Sequence, residues 1–229
     1  MKLWRLYAFM LLCTACAGLA FAWSWADYQA SRADYIVASW QRGEPVTEPE
    51  WQHAKGLQSS ALFWRGQQPD YLEAMGQLYY WRNTQTDISA AALDQNFEAS
   101  LRYYRLAIAQ RPLWPYAWAN VALIKAQMRL WDAEFYTALI RAQQLGPWET
   151  RVQLAVHEAG LISWRQLDFK NRKLLLQNFS NSFSTDQRQV NKMLALTEKY
   201  SYKAAFCFYS GQQQVETDIA ALIKRRCRK

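Results

Sequence analysis

The residues of this chain whose types could do chemistry are two histidines, four cysteines, twelve tryptophans and a scatter of carboxylates. His53 and His157 stand apart, and neither has Cys, Asp, Glu or another His at the spacing of a zinc site. His157-Glu158 is half of a metallohydrolase motif without its closing His, so no metal ligand set is expected. Glu134, Glu149, Glu158 and Asp168 are the acids from which a glycosidase pair would be drawn, one as general acid and one as base or nucleophile. Acids spread over helices are more often solvated surface, and no catalytic residue is assigned. The chain has no glycine-rich phosphate loop, no Gly-x-Ser-x-Gly elbow and no thioredoxin-type cysteine pair in a folded region, and no cofactor is expected.

Tryptophans stack on the apolar faces of sugars, which makes a glycan-binding surface a legitimate reading of so many. Trp51, Trp64, Trp81, Trp118 and Trp164, however, fall at helical core spacing, and core filling is the expected use. Trp114 and Trp148 stand beside prolines at turns, where locking one helical unit onto the next is expected. Cys13 and Cys16 lie in an apolar run and read as small hydrophobes. Cys207 and Cys227 remain as the pair that an oxidising compartment could join. A tight hairpin turning at Gly211 would leave them roughly 18 Å apart, so a bridge needs a wider loop or a crossing helix.

The elements that must position these residues are helices. Apolar residues recur at three-to-four spacing over about 50–65, 69–82, 91–110, 116–130 and 133–144, with Pro49, Pro69, Pro112, Pro115 and Pro147 marking the breaks. No sustained period-two alternation occurs, so the class is all-α. The 116–130 segment is apolar nearly all round and must be covered on more than one side.

From Leu6 to Trp23 eighteen residues carry no charge, enough for a helix of roughly 27 Å across a hydrocarbon core of about 30 Å. Trp23 and Trp25 at its far edge suit an interfacial anchor, whereas Ala20-Phe21-Ala22 fits a signal-peptidase site. Cys16 follows Thr14-Ala15 as a lipid-attachment cysteine would, but Cys13 stands where such a site has a Leu-like residue. The expected division is an anchor or signal over 1–26, a linker helix and turn over 27–49, and a helical domain over 50–229. Lys2 and Arg5 before the run direct the chain beyond about residue 26 out of the cytoplasm.

The formal charge of +8 first suggests a polyanion partner. Lys2, Arg5 and the tail Lys224, Arg225, Arg226, Arg228 and Lys229 account for seven of the 27 bases, leaving 20 against 19 acids. A near-neutral body lacks the basic face of a nucleic-acid binder, and no nucleic-acid partner is expected.

A shift of 35 residues lays Arg111-Pro112 on Gly146-Pro147, Ala107 on Ala142, Tyr104 on Leu139 and Leu101 on Tyr136. A small residue five before a proline, with a bulky one three earlier, is how the second helix of a tetratricopeptide repeat ends, and that repeat has a period of about 34. Met75, Gly76 and Tyr79 suit a first helix, while Ser100, Phe135 and Lys125 depart from the pattern. The fold expected is therefore an N-terminal transmembrane anchor followed by degenerate tetratricopeptide-like helical repeats. Its concave side would be lined by Gln77, Asn120, Gln127, Arg151 and Glu158.

The anchor, the helix Asp70–Arg82 (DYLEAMGQLYYWR), the run Arg111–Asn120 (RPLWPYAWAN) and Leu145–Glu149 (LGPWE) together resemble the VpsP family of bacterial polysaccharide-biosynthesis proteins. The resemblance implies a single-pass inner-membrane protein with a periplasmic domain, or a soluble periplasmic one if the signal is removed. It implies a non-enzymatic accessory role in exopolysaccharide or biofilm-matrix production, partnered by synthesis or export proteins. Direct binding of the polysaccharide is the alternative, and a paired-carboxylate enzyme a more distant one. The resemblance brings no catalytic residues with it.

Overall fold

A computed structural model describes residues 3–85, 88–184, 187–213 and 216–228; Lys2 and Lys229, assigned above to membrane orientation and to the basic tail, lie outside them. Among the described residues the chain is all-α, with eleven α-helices, one 3-10 turn and no strand. It divides into two compact units, Met1–Gln110 and Arg111–Lys229.

In the first unit α1 (Leu3–Gln41) is one uninterrupted helix of 39 residues. The apolar run and the linker helix from Asp27 are thus a single element, because no proline or glycine stands between Leu19 and Gln41 to break it. Large apolar side chains from Leu3 to Trp25 are exposed, while Ala26, Ala30, Ala33, Val37 and Trp40 are buried. Their alternating spacing of four and three residues makes one stripe down the helix. The alanines let α2 (Glu48–Trp64) approach closely through its own buried Ala54 and Ala61. Gly43, at φ 102°, makes the reversal between the two helices in a conformation open mainly to glycine. Thr47 then caps α2 by accepting from the Glu50 N–H.

The chain continues into α3 (Pro69–Arg82) and α4 (Ala90–Gln110), which pack as a pair. Trp51 is fully buried, donates its indole N–H to the Leu78 carbonyl at 2.8 Å and carries the Arg82 guanidinium 4.1 Å from its ring centroid. Ser100 explains its departure from the repeat pattern by donating to the Gly76 carbonyl at 2.6 Å. The Tyr104 ring lies so close that a Cβ on Gly76 would meet it at 3.1 Å. Trp64 departs from its expected core role, because it is 42% exposed at the end of α2.

The second unit holds α5 (Pro115–Gln127), α6 (Ala133–Leu145), α7 (Thr150–Ile162), α8 (Phe169–Asn181), a 3-10 turn (Ser182–Ser184), α9 (Gln187–Lys199), α10 (Lys203–Ser210) and α11 (Thr217–Cys227). The helices α5, α7 and α9 are each 13 residues long and begin 35 and 37 residues apart. α7 packs against both of the others, and α5 is covered by α6 and α7 as its all-round apolar character requires. Lys125 is buried on α5, where Asp132 and Glu134 hold its ammonium at 2.8 and 2.7 Å. Burial alone would lower its pKa, but the two carboxylates outweigh that and hold it above the ordinary lysine value. Buried amides join the next helices: Asn178 donates to the Gln153 carbonyl at 2.9 Å, and Gln189 donates to the Gln153 side chain at 3.1 Å.

Trp148 is 61% exposed and does not lock a turn, and Trp114 packs instead on Tyr116 and the Arg111 guanidinium. α11 carries Lys224, Arg225 and Arg226 of the basic tail in its last turn, where cations complement the helix dipole. Cys207 and Cys227 form a disulfide with Cα atoms 5.8 Å apart. The last turn of α11 thus meets α10, and α11 also packs on α9. This arrangement is the crossing helix that a bridge requires. The bridge closes a sequence separation of 20 residues. Reducing it is expected to lower stability by about 3 kcal/mol through the added freedom of the unfolded chain. The check is the urea midpoint with and without reductant, compared with a Cys207→Ser, Cys227→Ser protein that reductant should leave unmoved.

Candidate functional site

Gln77 lies half-buried on α3 in the first unit. In the second unit Asn120 and Gln127 are half-buried on α5, and Arg151 is exposed on α7 with its guanidinium 5.3 Å from the Tyr116 ring centroid. Glu158 is not a free ligand group, since it accepts from Lys199 at 2.9 Å and from the Tyr200 hydroxyl at 2.8 Å.

The other acids also have local tasks. Glu134 holds Lys125, Glu149 accepts from the Tyr116 hydroxyl at 2.5 Å, and Asp168 caps α8 through the Asn171 N–H at 2.8 Å. No cluster of three or more His, Cys, Asp or Glu side chains suited to a metal occurs among the described residues. His157 is fully buried, stacked on Phe179 with centroids 5.2 Å apart and edge-on to Phe206 at 5.1 Å. Neither ring nitrogen finds a hydrogen-bond partner in normal geometry. Burial pushes its pKa down to about 3, opposed by the backbone of Met193.

A groove of about 450 Å³ lies where α5, α7 and α9 end, a size typical of small-ligand sites. It is lined by Arg129, Trp131, Arg165, Gln166, Tyr200 and Tyr202 over a floor of Leu161 and Ile162. The backbone forms two of its edges in the same way. After α5 the Leu130 N–H bonds to the Lys125 carbonyl at 2.9 Å and the Arg129 N–H to Ala126 at 3.1 Å. After α9 the Tyr202 and Ser201 N–H groups bond to Thr197 and Glu198 at 2.7 and 3.1 Å. Both are Schellman turns, whose left-handed position usually takes glycine. Here that position holds Arg129 at φ 58° and Ser201 at φ 65°, at a cost of about 1 kcal/mol each.

The aromatic rings of the groove are pinned from behind. Trp131 donates its indole N–H to Ser163 at 3.0 Å, Tyr200 is held by Glu158, and Tyr202 packs on Trp164 with centroids 5.7 Å apart. Burial, then the Glu158 charge, pushes the Tyr200 pKa up to about 12, so this hydroxyl stays a donor. Lys199 is held above its ordinary value, because its bond to Glu158 outweighs burial. Arg129 and Arg165 are exposed, and neither makes an ion pair among the described residues. The groove thus offers cationic forks and fixed ring faces.

None of these groove residues stands out by type or local motif. The signal that reaches them is the 35-residue shift, which carries Leu130 to Arg165 and then to Tyr200. Comparison of the chain with known protein families, curated proteins and solved structures finds no match.

The buried imidazole predicts an acid-sensitive second unit. The unfolded chain takes up a proton near pH 6.5 that the folded chain refuses until about pH 3, so stability is full above 6.5 and falls as pH drops. About 3 kcal/mol should be lost between roughly pH 6.5 and 4. Urea unfolding across that range should show the loss in the native chain and a flatter profile in His157→Phe.

Proposed function

We propose that the protein is a membrane-held, non-enzymatic helical scaffold in bacterial exopolysaccharide synthesis or export, its body lying in the periplasm. The observation that carries this reading is the stack of equal helices α5, α7 and α9 at 35- and 37-residue intervals. Such regularity is how degenerate tetratricopeptide-like arrays present a continuous surface to partner proteins. α1 supports the reading as a helix long and apolar enough to cross a membrane, although a signal sequence would have the same character. The pathway rests on the VpsP-like segments at 70–82, 111–120 and 145–149. The structural tasks of Glu134, Glu149, Glu158 and Asp168 favour a binding role over a catalytic one. Crosslinking and pull-down from the native membrane should capture a glycosyltransferase or an exporter component. Capture of neither, with normal matrix in cells lacking the protein, would overturn the proposal.

The groove favours a second reading, direct binding of an acidic polysaccharide. Ring faces suit the apolar sides of sugars, and an arginine fork matches a uronate carboxylate. Arg129→Gly separates this role from a structural one. Glycine relieves the left-handed backbone, so the variant should be about 1 kcal/mol more stable than the native chain. Its affinity for an oligouronate should nevertheless fall about tenfold or more, as expected for a lost charge-assisted bond. Unchanged affinity by titration calorimetry would remove the groove from the account.

A further inference from the structure

We propose that the end of α2, Phe63-Trp64-Arg65, is a second membrane contact that seats the first unit on the bilayer interface beside α1. The inference depends on α1 spanning the membrane and is independent of the polysaccharide reading. α2 runs back along α1, so its last turn returns to the edge of the apolar run. Ala61 packs with Ala26 and Ala30, and the Gln29 amide reaches Ser60 at 3.5 Å. One turn further, the Arg65 guanidinium lies 5.0 Å from the centroid of the Trp23 ring and 3.6 Å from the Asp27 carboxylate.

Trp23 and Asp27 are where the uncharged segment gives way to polar sequence, so Arg65 stands at the level of the lipid headgroups. At that level the surface is aromatic. Phe63 is 81% exposed, Tyr28 53%, Trp23 49%, Trp64 42% and Trp25 39%. An aromatic belt with a cation above it is how proteins meet a bilayer edge, the ring bodies in the acyl boundary and the guanidinium among phosphates. Here the belt is drawn from two segments about forty residues apart in sequence, and only folding brings them together. The occupant is a phospholipid interface because the patch is continuous with the apolar, fully exposed half of α1. Two contacts fix the tilt and rotation of the unit, which one helix alone leaves to its packing neighbours.

The test uses the full chain in phosphatidylethanolamine–phosphatidylglycerol vesicles, with Cys13 and Cys16 replaced by alanine and the Cys207–Cys227 bridge kept. An environment-sensitive fluorophore is attached in turn at Phe63→Cys, Leu19→Cys and Tyr35→Cys. Leu19 lies within the apolar run, and Tyr35, 74% exposed, lies about 18 Å beyond Trp23 along α1. The fluorophore at 63 should shift to the blue and lose most of its emission to lipids bearing a quencher near the headgroup, while that at 35 should do neither. Quenching at 19 but not at 63 overturns the second contact and leaves the anchor standing. No quenching at 19 or 63 overturns the anchor and the proposal with it. A blue shift at 63 that depends on protein concentration in lipid-free detergent overturns lipid as the occupant in favour of a second copy of the chain.

Discussion

The first unit depends on α1 running without a break from an uncovered apolar half to a covered one. One half of the helix leaves its apolar side chains uncovered, and the other half buries Ala26, Ala30, Ala33, Val37 and Trp40 beneath α2 and α3. A helix uninterrupted through this boundary transmits orientation, because a sharp kink would break backbone hydrogen bonds and no proline stands in it to favour one. Everything packed on its C-terminal half is therefore placed relative to its N-terminal half. α2 returns along it, and the Arg65–Trp23 contact closes the return at the edge of the apolar run.

The second unit is organised differently, by the repeated close approach of short helices. Small residues permit that approach: Gly146 sits so near Pro115 that a Cβ would meet the proline ring at 2.8 Å, and Gly160 leaves no room beside Leu175. Polar side chains then fix register where apolar contacts alone would tolerate sliding. Lys125 between Asp132 and Glu134 ties α5 to the start of α6, and the Gln153, Asn178 and Gln189 amides tie α7, α8 and α9. Removing the acids would leave the buried Lys125 ammonium unpaired, and removing one of the buried amides would leave its partner short of a bond, which makes these contacts specific as well as cohesive. The groove at the helix ends is a consequence of this register, since parallel helices of equal length finish together.

The helix α3 was legible in the sequence to the residue, because Pro69 starts it and the Leu72, Met75, Leu78 spacing gives its buried face. The crowded character of 116–130 announced the double cover that α5 receives. Trp64 shows where periodicity misleads, since it has the type and spacing of a core residue yet ends its helix beyond the neighbours that would cover it; Trp148, expected to lock a turn, stands exposed on it instead. Glu158 was legible as a first-helix acid but not as the partner of Lys199 and Tyr200, which lie about forty residues away.

The sequence by itself determined the helical class, the uncharged segment at the N-terminus, the near-neutral body and the 35-residue recurrence. All of these are properties of type and spacing along one chain. Only the tertiary structure decided that the uncharged segment and the next helix are continuous, that Cys227 returns to Cys207, and that Arg129, Trp131, Arg165, Tyr200 and Tyr202 share a groove. The physical reason is that periodicity reports which face of a helix turns inward. Which helix covers that face, and which ends finish side by side, is settled by packing between segments far apart in the chain.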